Sequence, residues 1–326
     1  MRAVVHDRYG GPSVLQLREL DRPVAGPDEV LVRTHSAAIH PGDWLLMTGR
    51  PLLFRPAFGF RRPRKRIPGF DIAGTVEEVG STVKRFAPGD LVFGEAPNGS
   101  CAEYVSVPED KLAIQPGNLT PMEAAVVPVS GSAALVGLRD AGRVVPGQHV
   151  LIIGASGGIG TFGVQVAKAL GAEVTGVCST TNVDLVRSLG ADHVIDYTQE
   201  DFTKGGPRYD LILDNVANHS LADCRRALTP DGVLFTNNGT SGNRWIGPLG
   251  RMAAASALSL VMSKQGRPFY APVRRQDLLD LTELIENGQV KPVIGSTYSL
   301  AETADAMAEV GGGHARGKIA ITVGAA

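Results

Sequence analysis

Residues 149–161 read HVLIIGASGGIGT, and this stretch decides the fold. Residues 150–153 are wholly apolar, as expected of a parallel strand covered on both faces. Gly154, Gly157, Gly158 and Gly160 crowd the turn that follows. Val164, Val166, Ala167 and Leu170 then supply the apolar stripe of a helix packed on a sheet. Strand, glycine-rich turn and helix N-terminus in this order make an anion site, because free backbone N–H groups and the helix dipole face whatever phosphate docks there. Glycine lets the main chain take angles that side chains forbid and approach a pyrophosphate closely. The turn is a GxxGGxG variant of the dinucleotide fingerprint, and its place between strand and helix supplies the context that a bare motif lacks. Gly154, Ser156, Gly157, Gly158, Ile159 and Gly160 are the candidate phosphate-binding residues. The other reading is a glycine-rich turn without a ligand.

The same grammar repeats downstream. The phrases ALGAEV and SLGADHV each end a helix on a glycine, Gly171 and Gly190, that feeds a strand. These strands cover 173–177 and 193–195, with a helix over 182–189 between them. Residues 209–213 (YDLIL) and 233–236 (VLFT) continue the series around a helix over 221–228. Such alternation predicts an α/β architecture, a Rossmann-type doubly wound parallel sheet that holds its ligand at the carboxyl ends of the strands. Asn215 and Val216 follow the fourth strand and Asn237, Asn238 and Gly239 the fifth, which makes them candidate cofactor contacts.

The end of the second strand selects the dinucleotide. A carboxylate about 20 residues beyond the glycine turn accepts from the ribose 2′-hydroxyl of NAD. Here Cys178, Ser179, Thr180, Thr181 and Asn182 offer hydroxyls and an amide instead. That run predicts NADP(H), with Ser179 and Thr180 against the 2′-phosphate, although no Lys or Arg stands in it and Asp184 is close by. Helix N-capping is a second role open to the same hydroxyls.

The N-terminal part reads as a β-rich domain. Residues 3–5, 30–38, 72–79, 91–93 and 102–107 are β-branched or alternating runs punctuated by Gly, Pro and Asp. Residues 112–125 look like the crossing into the nucleotide domain, with Thr120-Pro121 opening a helix. The length of 326 residues suits two domains and 43% apolar composition suits a globular core. A net charge of −1 gives no bulk attraction for nucleic acid. Residues 1–9 form a strand pattern rather than a signal peptide, and the longest apolar stretch, 252–262, is too short to span a bilayer. A cytoplasmic protein is expected. Three widely spaced cysteines, Cys101, Cys178 and Cys224, match no zinc site and read as reduced thiols. Arg61-Arg62-Pro63-Arg64-Lys65-Arg66 is a basic hexamer in a Pro-rich loop, either a solvated face or a surface for an anionic partner.

The stretches IHPGDWLLMTGR (39–50), PGFDIAGTVEEVG (68–80), FAPGDLVFGE (86–95), CAEYVSVPED (101–110), LGADHVIDY (189–197) and GKIAITV (317–323), with the glycine turn, give the chain a wider likeness. In this order it resembles the medium-chain dehydrogenase/reductase superfamily, in its zinc-independent quinone oxidoreductase (zeta-crystallin-like) branch. The resemblance implies a GroES-like catalytic domain over 1–121, a nucleotide-binding domain over 122–271 and a C-terminal segment, 272–326, returning to the first. It also implies an active site in the cleft between the domains and a homodimer joined through sheet edges.

Zinc-dependent relatives carry Gly-His-Glu where this chain has Gly69-Phe70-Asp71, so that ligand histidine is missing and no metal site is expected. A substrate that accepts hydride without metal help, a quinone or an α,β-unsaturated carbonyl, is favoured over an alcohol. Negative charge then develops on an oxygen that hydrogen-bond donors must stabilise. Relatives place Asn, Asp and Tyr at the mouth of the nicotinamide pocket; this chain has His40, Asp43 and Leu45 there. His40 is a candidate oxyanion donor or proton shuttle, or a satisfied loop histidine. Asp43 is a candidate catalytic residue or the N-cap of a helix over 44–48. The resemblance further implies cofactor contacts at Ser130, Ser132, Tyr197 and Lys318, with solvated positions as the alternative for the last two. Rival readings are a 2-enoyl thioester reductase, an alcohol dehydrogenase, or a non-catalytic NADPH-binding sensor.

Overall fold

The chain folds as two units, each around its own sheet: Met1–Ser132 with Pro272–Glu286 and Pro292–Ala326, and Ala133–Ala271 with Asn287–Lys291. A computed structural model describes residues 1–206, 208–236, 245, 266–268, 272–313 and 315–324. The expectations for Asn237, Asn238 and Gly239, and for the apolar stretch 252–262, fall outside the described residues.

In the first unit, β1 (Arg2–Val5) and β2 (Gln16–Glu19) form an antiparallel pair. Next come β3 (Glu29–Ile39), α1 (Pro41–Thr48), the short α2 (Arg55–Phe58), β4 (Asp71–Val79), β5 (Leu91–Glu95), β6 (Tyr104–Pro108) and β7 (Leu112–Ile114). Strand β3 pairs antiparallel with β4 in a register that sets Ala37 opposite Ile72, and with β6 so that Val30 faces Val107. The β-branched residues Val30, Val32, Ile72, Val76, Val92 and Val107 of these strands close one core together with Leu112. Each such side chain contributes about 1.5–3 kcal/mol when fully buried. Helix α3 (Pro121–Ala125) starts as its sequence predicts: Thr120 caps it, Pro121 occupies the first turn, and Glu123 reaches back to the Thr120 N–H. Helix α4 (Pro128–Leu135) follows.

The second unit is the α/β sheet. Its elements are β8 (His149–Ile153), α5 (Gly158–Ala169), β9 (Glu173–Cys178), α6 (Val183–Ser188), β10 (His193–Asp196), β11 (Tyr209–Asp214), α7 (Leu221–Ala227), β12 (Leu228–Thr236) and β13 (Gly266–Pro268). All neighbours are parallel, in the order β10-β9-β8-β11-β12-β13. The direction of winding reverses between β8 and β11, the point at which such sheets open a crevice for ligand. Leu228 opens β12 opposite Tyr209 instead of closing the preceding helix, so that strand starts earlier than its apolar run suggests.

The chain then returns to the first unit through α8 (Arg275–Glu286), β14 (Ile294–Ser299), α9 (Thr303–Gly312) and β15 (Lys318–Thr322). Strand β15 inserts between β14 and β3, so the larger sheet reads β14-β15-β3-β4-β5-β7 with β6 also on β3. Ile319 and Ile321 of β15 and Met307 and Val310 of α9 bury against Ile39 and Met47. The three cysteines are buried and none is in a disulfide.

Candidate active site

The glycine turn sits at the carboxyl end of β8, beside the winding reversal. Gly154 has φ +74°, and a Cβ there would meet the Val216 side chain at 2.7 Å. A Cβ on Gly160 would stand 2.0 Å from the Gly154 carbonyl oxygen, so only glycine lets α5 approach the strand this closely. Gly157 is the N-cap of α5 and offers no side-chain cap, which leaves the first-turn N–H groups for a ligand. Asn215 Nδ2 donates to the Ile153 carbonyl, whereas Asn215 Oδ1 and Thr236 Oγ1 are buried without hydrogen-bond partners among the described residues. Orphaned polar atoms at adjacent strand ends, next to a glycine cradle, fit a dinucleotide.

At the end of β9 the hydroxyls are already engaged. Asn182 Nδ2 donates to Ser179 Oγ, and Thr180 Oγ1 donates to Asp196 Oδ2 at 2.6 Å. Ser179 makes no side-chain cap bond, so the capping role does not hold. A carboxylate does stand at this strand end: the parallel register sets Asp196 of β10 beside Cys178. Hydrogen bonds from Thr180, Thr198 and Gln199 hold its carboxyl below the usual range. The nearby Asp184 is fully exposed on α6. Tyr197, 51% exposed, follows Asp196.

In the first unit His40, not Asp43, is the N-cap of α1. Pro41 at the first helical position marks the residue before it as the cap. His40 Nδ1 accepts from the Gly42 N–H at 3.0 Å, while Asp43 Oδ2 accepts from the His40 N–H at 3.0 Å. Asp43 Oδ1 accepts from the Gly69 N–H at 2.8 Å, so the buried carboxylate ties α1 to the chain just before β4. Burial raises the Asp43 pKa, an effect opposed by Lys65 and by these two hydrogen bonds. For His40, burial, reinforced by the Lys318 charge, pushes the pKa down to about 3. A neutral ring whose Nδ1 accepts carries its proton on Nε2. That Nε2–H is buried without a hydrogen-bond partner among the described residues, and Asp43 Oδ2, at 3.8 Å, is too far to accept from it. His40 is thus built as a neutral donor rather than as a proton shuttle near neutral pH.

The ring stacks on Phe70, centroids 5.2 Å apart. Lys65 stands over the same phenyl ring, its Nζ 3.0 Å from the centroid, and donates to the Gly69 carbonyl at 2.7 Å. Phe70 and Lys65 line a cavity of about 190 Å³ with Leu46, Phe58, Pro63 and Pro97. Burial drops the Lys65 pKa to about 8 despite the carboxylate of Asp43. In the sequence Lys65 belongs to a basic run that reads as a solvated face or a surface for an anionic partner, and Phe70, four residues on from Arg66, is the available signal of burial. The ammonium is present below about pH 8 and lost above it. If it serves the reaction, kcat falls as pH rises through about 8, and in Lys65→Arg this limb disappears from the pH profile.

Lys318 is not solvated. Its Nζ donates to Asp71 Oδ2 at 2.8 Å, with both side chains at 2% exposure or less. Asp71 Oδ1 accepts from the Val129 N–H at 2.8 Å and so holds the start of α4, the helix that carries the buried Ser130 and Ser132. Ser132 Oγ has no partner among the described residues. No group of three or more His, Cys, Asp or Glu among those residues could hold a metal ion.

Residues 26–117 match the family described as alcohol dehydrogenase GroES-like domain and residues 189–321 the one described as zinc-binding dehydrogenase. Over 98% of both chains, the sequence is 33% identical to the chloroplastic quinone-oxidoreductase QR1 of Triphysaria versicolor. The chain belongs to the quinone oxidoreductase branch of the medium-chain dehydrogenase/reductase superfamily. Human mitochondrial NAD(P)H oxidoreductase RTN4IP1 is 33% identical over 99% of this chain and 89% of its own. The quinone oxidoreductase from Coxiella burnetii superposes with a TM-score of 0.84 at 26% identity, covering 99% of each chain. As a member of this superfamily the protein is an oxidoreductase that uses a nicotinamide cofactor. No helix among the described residues is long and apolar enough to cross a membrane.

Proposed function

We propose that this medium-chain oxidoreductase is a zinc-independent, NADP(H)-dependent reductase of quinones or α,β-unsaturated carbonyls. The observation that carries the reading is the neutral His40 ring, whose unpaired Nε2–H is held in place by the cap of α1 and stacked on Phe70. A nicotinamide cofactor, when bound, would supply the hydride. The glycine turn would hold a pyrophosphate on the first-turn N–H groups of α5, with Asn215 as a further contact in that unit; Ser130, Ser132 and Lys318 are offered as cofactor contacts of the first unit on the family resemblance. As the acceptor gains two electrons, charge collects on its carbonyl oxygen, and His40 Nε2–H donates to that oxyanion. Lys65, an ammonium below about pH 8, delivers the proton that completes the hydroquinone or enol. Asp43 is a positioning residue, fixing the His40 backbone through Oδ2.

For the cofactor's adenosine end, hydroxyls at Ser179 and Thr180 support NADP(H), and the Asp196 carboxylate is the group that opposes a 2′-phosphate. Asp196→Asn keeps the shape of this network and removes the charge. The expected result is a rise of about tenfold in the NADPH-to-NADH ratio of kcat/KM, as one unit-charge repulsion near a surface provides. An unchanged ratio would place the 2′ position elsewhere.

A further inference from the structure

Residues 51–66, PLLFRPAFGFRRPRKR, form an excursion between α1 and β4 of which the proposed chemistry uses only a few side chains. The excursion is tied down. The Tyr9 hydroxyl donates to the Phe58 and Gly59 carbonyls, the Arg64 N–H to the Phe58 carbonyl at 2.8 Å, and the His6 N–H to the Arg66 carbonyl at 2.9 Å. It exposes both apolar and cationic side chains. Leu53 is 60% exposed, Phe58 44% and Phe60 72%, three large apolar side chains exposed within eight residues. Directly after Phe60 in the chain, Arg61, Arg62 and Pro63 join Arg66, Arg8 and Arg18 around an open cavity of about 780 Å³. Asp7 is the one carboxylate in that wall and is already shared by Arg18 and Arg66, leaving Arg8, Arg61 and Arg62 without a carboxylate partner among the described residues. Because the whole chain carries a net charge of −1, this cationic surplus is local.

We propose that this face docks on an anionic lipid bilayer, with the arginines on phosphodiester headgroups and Phe60 and Leu53 in the interfacial layer beneath them. A bilayer surface offers the two chemistries in the order the loop presents them, negative charge outside and an apolar layer within. A soluble phosphate compound would engage the arginines and leave Phe60 and Leu53 in water. The same loop carries the apolar cavity on its other side, since Pro63 lines both. The proposal rests on the quinone reading only for its purpose: apolar quinones partition into bilayers, and the docking loop also walls the cavity beside Lys65 and Phe70.

The test is sedimentation of the full-length protein with vesicles of phosphatidylcholine alone or mixed with about one-third phosphatidylglycerol, without cofactor. Binding is expected to the mixed vesicles only and to fall as salt is raised, since headgroup attraction is screened over a distance on the order of 10 Å. Arg61→Glu/Arg62→Glu is expected to weaken it at least 25-fold, at about fivefold per cationic side chain removed. Phe60→Ser should weaken it about tenfold with the salt dependence kept. Both variants should reduce a water-soluble quinone at the wild-type rate in the absence of vesicles. Equal partition to both vesicle types, or no loss in the Arg61/Arg62 variant, would overturn the proposal. So would displacement by micromolar inorganic pyrophosphate combined with indifference to Phe60→Ser, which would assign the arginines to a soluble phosphate compound. Self-association without vesicles that the same variants abolish would assign the face to a second copy of the chain. Vesicle binding is read without turnover, so its failure and failure of the quinone reading are separate results.

Discussion

Lys318→Met is expected to destabilise the protein by about 3–5 kcal/mol, because it strands the Asp71 carboxylate in the core. Lys318 Nζ lies 2.8 Å from Asp71 Oδ2 and neither side chain is more than 2% exposed. At a surface the same pair would contribute about 0–1 kcal/mol. Asp71→Asn should cost a similar amount by stranding the ammonium, even though its amide oxygen can still accept from the Val129 N–H. The double variant buries no charge and is expected to be clearly more stable than the sum of the single losses predicts. Urea denaturation of the four proteins checks this. Single-variant losses within about 1 kcal/mol of zero would mean that water reaches the pair. The pair also joins β15 to the start of β4 and, through Asp71, to α4. A defect there should therefore lower cofactor affinity as well as stability.

His40→Ala is expected to lower kcat for quinone or enone reduction by about 10²–10³, the effect of deleting one oxyanion donor. Its cost in stability should be only about 1 kcal/mol, the value of a helix cap. The two losses separate because Nδ1 serves α1 and Nε2 faces no partner among the described residues. His40→Asn restores an acceptor to the Gly42 N–H and a donor in its amide, so it should recover the cap fully and the rate in part. Wild-type activity should show no acid limb from this ring between pH 5 and 8, since its pKa is held at about 3. Equal loss of rate and stability in His40→Ala would reduce the residue to a cap.

The parallel sheet was legible because its signals are local. Apolar runs, glycine caps and helix stripes sit within a dozen residues of one another, and each strand from β8 to β11 forms where its run lies. The start of α1 was legible too: Pro41 points to His40 as the cap, yet Asp43 has a capping residue's chemistry and occupies the third helical position instead. Asp196 was hidden because the carboxylate beside Thr180 comes from the neighbouring strand, 16 residues on, and only the β9–β10 register brings it there. Lys318 and Asp71 are 247 residues apart, and no local pattern distinguishes a buried lysine from a solvated one. Lys65 shows the opposite failure. Its four cationic neighbours, Arg61, Arg62, Arg64 and Arg66, suit a solvated run, and the cavity wall that withdraws Lys65 from water belongs to residues 46, 58, 70 and 97 as well.

Reductive chemistry without a metal is tested by following the oxidation of NADPH and NADH by purified, chelator-treated protein across quinones, enones and aldehydes. Turnover of quinones or enones with NADPH, indifferent to chelator and lost in His40→Ala, is the predicted result. Saturable NADPH binding with no turnover on any acceptor would contradict it and leave a cofactor-sensing protein in its place.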